Sequence, residues 1–153
     1  MAGSDPTGDD LHTLVEVRLK RVDLRYTSGR RAVVEFLDRH GHPASISDLA
    51  AGVPEVPRSS AYRHLVDLQE AGVVRRLAAN DEFARFELAE DLTEHHHHLL
   101  CTSCGTVIDV TPTPSFERTV DRVVAELASA QGFAPTSHAL DIMGRCASCV
   151  REA

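Results

Sequence analysis

The chain has no tryptophan, and its aromatic share is only 5%. A core must therefore be aliphatic, which a hydrophobic content of 42% over 153 residues can supply. Long apolar runs are missing too. None approaches the ~20 residues of a membrane span, and the opening MAGSDPTGDD is acidic where a secretory leader is basic and then apolar. A cytoplasmic protein is expected. Catalytic signatures are also absent: there is no H-E-x-x-H and no H-x-E partnered with P-C-x-x-C, so nothing supplies both an open zinc and a general base. A zinc hydrolase or deaminase is accordingly disfavoured. Cysteine is scarce but ordered, its four copies forming two C-x-x-C pairs, Cys101/Cys104 and Cys146/Cys149. In a reducing compartment that grouping favours zinc over disulfides.

Lys and Arg are outnumbered, 16 against 23 acids, for a net charge of -7. The balance is uneven along the chain. Residues 1–17 hold four acids and no Lys or Arg, residues 18–85 hold 12 basic and nine acidic, and residues 86–153 hold four basic and ten acidic. Only the middle segment leans basic, so contacts with nucleic-acid phosphates are expected there.

The length allows one ordinary domain or two small ones, each needing a metal or a partner. Residues 1–10, rich in Gly, Asp, Ser and Pro, read as a disordered tail. From Leu11 to Leu24 apolar residues recur at helical spacing. Thr27 or Ser28 caps a second helix that carries Ala32, Val33, Phe36 and Leu37 and ends at Gly41. A short helix is expected at about 47–51, and a fourth from Pro57 to Ala71, capped by Ser59 or Ser60 and stopped at Gly72. VVRRL and ARFEL are strand-like runs about a turn at Asn80 and Asp81. Helix, turn, helix and hairpin describe a winged helix over 11–88, with a hinge at 89–94. Beyond it, HHHHLLC and TVIDV read as strands, PSFERTVDRVVAELASAQG as an amphipathic helix closed by Gly132, and SHALDIMG as a third strand. The fold class is α+β: an N-terminal winged helix-turn-helix domain and a C-terminal α/β domain over 95–153.

A C-x-x-C turn lets two thiolates converge on one ion, and two such turns complete a tetrahedral zinc shell with no open position. Cys101, Cys104, Cys146 and Cys149 are therefore expected to hold a structural zinc. Four unrelated core cysteines, or a redox pair, are the weaker readings. Just before the first pair stand His95, His96, His97 and His98. A strand alternates its faces, so His95 and His97 point one way and His96 and His98 the other, and one run can serve two metal sites. Partners to complete those shells are His42, Glu87, Asp109, Glu117 and His138. The bland alternative is a solvated histidine strand.

These residues together carry a resemblance. The order SSAYRHLVDLQEAGVVRR, FEL, HHHHLLCTSCG, TSHALDIMG and a final C-x-x-C resembles the ferric uptake regulator (Fur) family of bacterial metal-sensing repressors over about residues 12–150. The resemblance implies a homodimer joined through the C-terminal domains, with metal binding at the hinge fixing a DNA-competent arrangement. It implies a regulatory site of His42, Glu87, His96, His98 and Asp109, and an additional site of His95, His97, Glu117 and His138. AEDLTE is slightly longer than the family pattern, which leaves Glu90, Asp91 and Glu94 as alternatives to Glu87. Zinc-uptake members often place a further Cys near the histidines, and none stands there outside the two pairs, so Fe(II) is favoured over Zn(II) or Mn(II). A peroxide-responsive member is a further alternative.

The helix beginning at Pro57 is expected to enter the major groove of operator DNA. Arg58 and Arg63 are placed for phosphate or guanine, Ser59 and Ser60 for phosphates, and Tyr62 for a thymine methyl unless it is a core residue. Arg30, Arg31, Arg75 and Arg76 are further candidates for phosphate contacts. The leading expectation is a metal-dependent transcriptional repressor. A zinc-stapled constitutive DNA-binding protein without sensing, or a metal-storage module, is the alternative class.

Overall fold

A computed structural model describes residues 8–77 and 84–152 and resolves into two compact units, 1–95 and 96–153. In the first unit, helix α1 (Gly8–Arg21) sets Leu11, Val15 and Leu19 one turn apart on a single buried face. It starts inside the stretch expected as a tail, and it ends earlier than its apolar pattern because Asp23 takes a left-handed φ of 57°. Helix α2 (Ser28–His40) is capped by Thr27, whose hydroxyl accepts from the Arg30 backbone N–H, and it closes on Gly41 at φ 70°. Helix α3 (Ile46–Gly52) begins with a capping box in which Ser45 and Asp48 satisfy each other's backbone. The Asp48 carboxyl is held below its ordinary value by the Ser45 hydroxyl and backbone.

Helix α4 (Arg58–Glu70) buries Ala61, Leu65 and Leu68. The cap expected at Ser59 or Ser60 is not there: Pro57 occupies the N-cap, with no side-chain hydrogen bond, and both serines lie inside the first turn. Proline's fixed φ already suits a helix entrance, and it lacks an N–H to satisfy. Strands β1 (Val74–Leu77) and β2 (Arg85–Leu88) pair antiparallel, with Arg75 opposite Glu87. The turn expected at Asn80 and Asp81 falls outside the described residues. Ala44 exchanges two backbone hydrogen bonds with Phe86, adding a bridge to the hairpin. The stretch expected as a hinge contains a 3-10 turn, Glu90–Leu92, whose Leu92 joins the buried cluster and whose Asp91 pairs with Arg18. An apolar side chain so placed holds this segment to the first unit.

In the second unit, strand β3 (His97–Cys101) lies between antiparallel β4 (Val107–Val110) and parallel β5 (Asp141–Gly144). The expected histidine strand is thus two residues shorter, with His95 and His96 preceding it. Helix α5 (Pro114–Ala130), capped by Thr113 with Pro114 in its first turn, connects β4 to β5. Gly132 follows it at φ 64°. A short helix α6 (Ala147–Arg151), not foreseen from the sequence, starts at Cys146. Leu99 is flanked in register by Ile108 and Ile142, and all three are exposed, as are Phe116, Val123 and Leu127 of α5.

Candidate functional site

Backbone hydrogen bonds assemble the sulfur cluster. Gly105, at φ 74°, lets the chain turn back after β3, with Gly105 N–H donating to the Cys101 carbonyl and Cys101 N–H to the Thr106 carbonyl. Thr102 N–H donates to the Gly144 carbonyl, which draws the end of β5 alongside this turn. Cys146 follows two residues later, and its N–H donates to Cys101 Sγ at 3.3 Å. The four sulfurs come within 4.8 Å of one another, with Cys104 and Cys146 3.7 Å apart. Backbone N–H groups of Cys146 and Cys104 bring the Cys101 thiol down to about 6, and the Thr106 hydroxyl lowers that of Cys104. Hydrogen bonding to the Cys146 and Cys104 sulfurs pushes Cys149 up to about 12. Four thiols so close cannot all ionise without a cation among them, and an all-sulfur tetrad suits zinc.

On β3, neighbouring histidines meet different partners. His97, 3% exposed, places Nε2 2.8 Å from Glu117 Oε1 on α5. His138 places Nε2 3.3 Å from the other oxygen of Glu117, and its Nδ1 lies 3.6 Å from Asp121. His97, Glu117 and His138 thus present ligand atoms within 4.8 Å of one another. His98, 1% exposed, faces elsewhere: its Nδ1 is 3.0 Å from Asp141 Oδ1 and its Nε2 3.7 Å from Asp109 Oδ1. His96 stacks edge-on to it, with ring centroids 4.8 Å apart. Asp121 and Asp141 carry no motif, and only the register of β5 on β3 reveals the second of them.

His42 and Glu87, expected in the regulatory set, lie in the first unit. Only Pro43 separates His42 from Ala44, and Glu87 follows Phe86, so the Ala44–Phe86 bridge ties the two segments together. His42 packs on His40 at 3.9 Å between centroids, and burial, with His42 second, lowers the His40 pKa. Glu87 is buried and lies 3.6 Å from Arg75 across the hairpin. Of the alternative acids, Glu90 hydrogen bonds His95 and Asp91 pairs with Arg18.

Along α4, Arg58, Ser59, Tyr62 and Arg63 are exposed and Ser60 is half-buried. Tyr62 at 47% exposure is no core residue. Val66, one turn on, is 60% exposed beside it and adds an apolar group that no motif in the sequence marks. Arg30 is otherwise engaged. It bonds the Arg25 carbonyl and the Asp67 carboxylate, fastening α2 to α4. Arg31 stays exposed, 5.1 Å from the Tyr26 ring.

A model described as the ferric uptake regulator family matches residues 21–143. The transcriptional regulator FurA of Mycobacterium tuberculosis is 35% identical over 96 residues, 61% of this chain and 64% of the relative, so the match spans under two thirds of that protein's length. The peroxide operon regulator of Bacillus subtilis is 29% identical over 138 residues, covering 88% of this chain and 90% of its own. The solved ferric uptake regulator of Helicobacter pylori, described as having three functional metal binding sites, covers 97% of both chains with a TM-score of 0.71 at 24% identity.

Proposed function

This chain belongs to the ferric uptake regulator family, and on that premise we propose that it is a cytoplasmic, metal-dependent transcriptional repressor, not an enzyme, that binds operator DNA as a homodimer. The observation that carries the proposal is the divergence of His97 and His98, adjacent buried imidazoles whose carboxylate partners differ completely. Burying two imidazoles against carboxylates is costly for a protein that only needs a stable sheet. It is economical for one that must offer two metals separate sites.

Zinc, held by Cys101, Cys104, Cys146 and Cys149, would join β3 to the segment after β5 and serve structure alone. The regulatory ligands are His42 and Glu87 from the first unit and His96, His98 and Asp109 from the second. A metal that prefers one arrangement of those ligands converts its differential binding energy into a choice between DNA-competent and incompetent states. His95, His97, Glu117 and His138 form the additional site. Arg58, Ser59, Ser60, Tyr62 and Arg63 meet the DNA. Two or more imidazoles with carboxylates suit Fe(II), and equally the chemistry of Mn(II) and Zn(II). The lack of a fifth cysteine supports iron. A peroxide-responsive repressor is the second reading, favoured by the likeness to the Bacillus subtilis regulator over 88% of the chain.

Two double variants test the proposal. His96→Ala with His98→Ala should leave a folded, zinc-containing dimer whose operator affinity no longer rises with added Fe(II). His95→Ala with His97→Ala should keep some response while changing dimer-domain stability or the Fe(II) concentration required. Identical behaviour of the two would refute separate sites, and a full response in both would remove the histidines from sensing.

A further inference from the structure

Asp141 belongs to no ligand set above, yet the sheet presents it to His98 directly. In the order β4-β3-β5, His98 has Asp109 as its register partner on one side and Asp141 on the other. Register partners project from the same face of a sheet. The two carboxylates therefore flank one imidazole across three strands, and they address different nitrogens: Asp141 Oδ1 is 3.0 Å from Nδ1, Asp109 Oδ1 3.7 Å from Nε2. The first distance is a hydrogen bond and the second is not.

Neutral imidazole has one N–H and one lone pair, and the partner of the first decides where the second points. A carboxylate accepting from Nδ1–H places the lone pair on Nε2, the nitrogen that faces Asp109. It also fixes the ring's rotation about its bond to the backbone, in a side chain only 1% exposed. Supporting carboxylates of this kind raise the basicity of a ligating histidine and hold its tautomer. Its neighbours in sequence, Leu140, Ile142 and Met143, are all apolar, so the acid interrupts an otherwise apolar run.

We propose that Asp141 is a positioning residue for metal binding: it accepts a hydrogen bond from His98 Nδ1 and so presents Nε2 to the regulatory ion, without itself being a ligand. The inference rests on the regulatory-site reading above and goes further by naming which nitrogen binds and what orients it.

Co(II) is a suitable probe, because its visible absorption reports ligand type and number. The full-length protein, retaining metal at its cysteines, is titrated with Co(II) as wild type, as His96→Ala with His98→Ala, as Asp109→Asn, as Asp141→Asn and as Asp141→Leu. Absorption lost in the histidine double variant defines the regulatory site. If nothing is lost there, the site reading and this inference fall together. If it is lost, the Asp141 variants decide the inference alone. Asp141→Leu should weaken Co(II) binding by about 10- to 100-fold while the saturated spectrum keeps the wild-type band shape. Asp141→Asn, whose amide oxygen still accepts from Nδ1–H, should lie between wild type and Asp141→Leu. A saturated spectrum changed as in Asp109→Asn would make Asp141 a ligand and overturn the proposal. Unchanged Co(II) affinity in Asp141→Asn and Asp141→Leu, with or without lost thermal stability, would reduce Asp141 to a structural residue. Should Asp141→Leu fail to fold, Asp141→Asn still separates these outcomes, since affinity equal to wild type or an altered band shape counts against the proposal.

Discussion

Every member of the buried apolar cluster lies between Leu11 and Leu92. In the second unit, the buried side chains among the described residues are His97, His98, Leu100, Cys101 and Ala128, while Leu99, Ile108, Ile142, Phe116 and Leu127 stay exposed. The first unit is sealed by its own aliphatic side chains. The second has an amphipathic helix and a three-stranded sheet but leaves much of its apolar surface open. A domain of that size with so thin a core needs covalent or metal cross-links, or a second copy, to be stable. Covering the exposed row Ile108–Leu99–Ile142 would contribute about 1.5–3 kcal/mol for each large aliphatic side chain fully buried. The first unit thus closes a core of its own, and the second, among the described residues, does not.

The sharpest break of that comparison removes the sulfurs. Cys101→Ser with Cys104→Ser should unfold the second unit and abolish dimerisation, since zinc held by four thiolates contributes about 10–16 kcal/mol of apparent binding energy to folding in small zinc domains. Helices α1 to α4 should keep their amide protection. Zinc content, sedimentation and hydrogen exchange together read the result; a folded, zinc-free dimer would refute the dependence. The reverse perturbation is Leu65→Ala, at a side chain 1% exposed in the first core. It should cost about 2–5 kcal/mol in unfolding of the first unit only, with zinc content and dimer unchanged. Loss of the dimer in this variant would show that the two units do not fold independently. On the surface, Arg63→Ala should weaken operator binding by about 1–3 kcal/mol and leave metal affinity alone. Its exposed guanidinium donates a long hydrogen bond of 3.4 Å to the Ser60 hydroxyl, so little stability should be lost.

Local periodicity made the first unit readable. Leu11, Val15 and Leu19 announce α1, and Thr27 with Gly41 bracket α2, because caps and apolar stripes are short-range signals. The strand period of two likewise separates His97 from His98 without reference to any other element. What stayed hidden depends on distant pairing. The histidine strand begins at His97 because its first partner is Val110, and nothing within the run itself marks that boundary. Asp141 is 43 residues from His98 and meets it only through parallel register, which no local pattern encodes. Leu92 looked like hinge because AEDLTE is polar, and its place in the core follows from tertiary contacts alone.

The smallest expected effect concerns pH and falls on the first unit. His64 on α4 packs against the start of α2 so closely that a Cβ at Gly29 would sit 2.5 Å from its Nε2. Its Nδ1 is buried with no hydrogen-bond partner among the described residues. Burial, then Arg30, hold its pKa below the ordinary 6.5, with the Asp67 charge opposing them and Arg63 adding a lesser push. In the unfolded chain the imidazole regains its ordinary value, so below about pH 6.5 the unfolded state binds a proton that the folded state resists. Stability supplied at neutral pH is therefore lost as pH falls through the unfolded value and on through the folded one. The His64→Gln variant removes that titration while keeping a polar side chain of similar reach. Amide protection factors along α4, compared between pH 7.5 and 5.5, should fall less in His64→Gln than in wild type, whereas α5 should respond equally in both. An equal fall in α4 would mean that the acid sensitivity of the first unit arises elsewhere, with His40, also lowered by burial, the next residue to test.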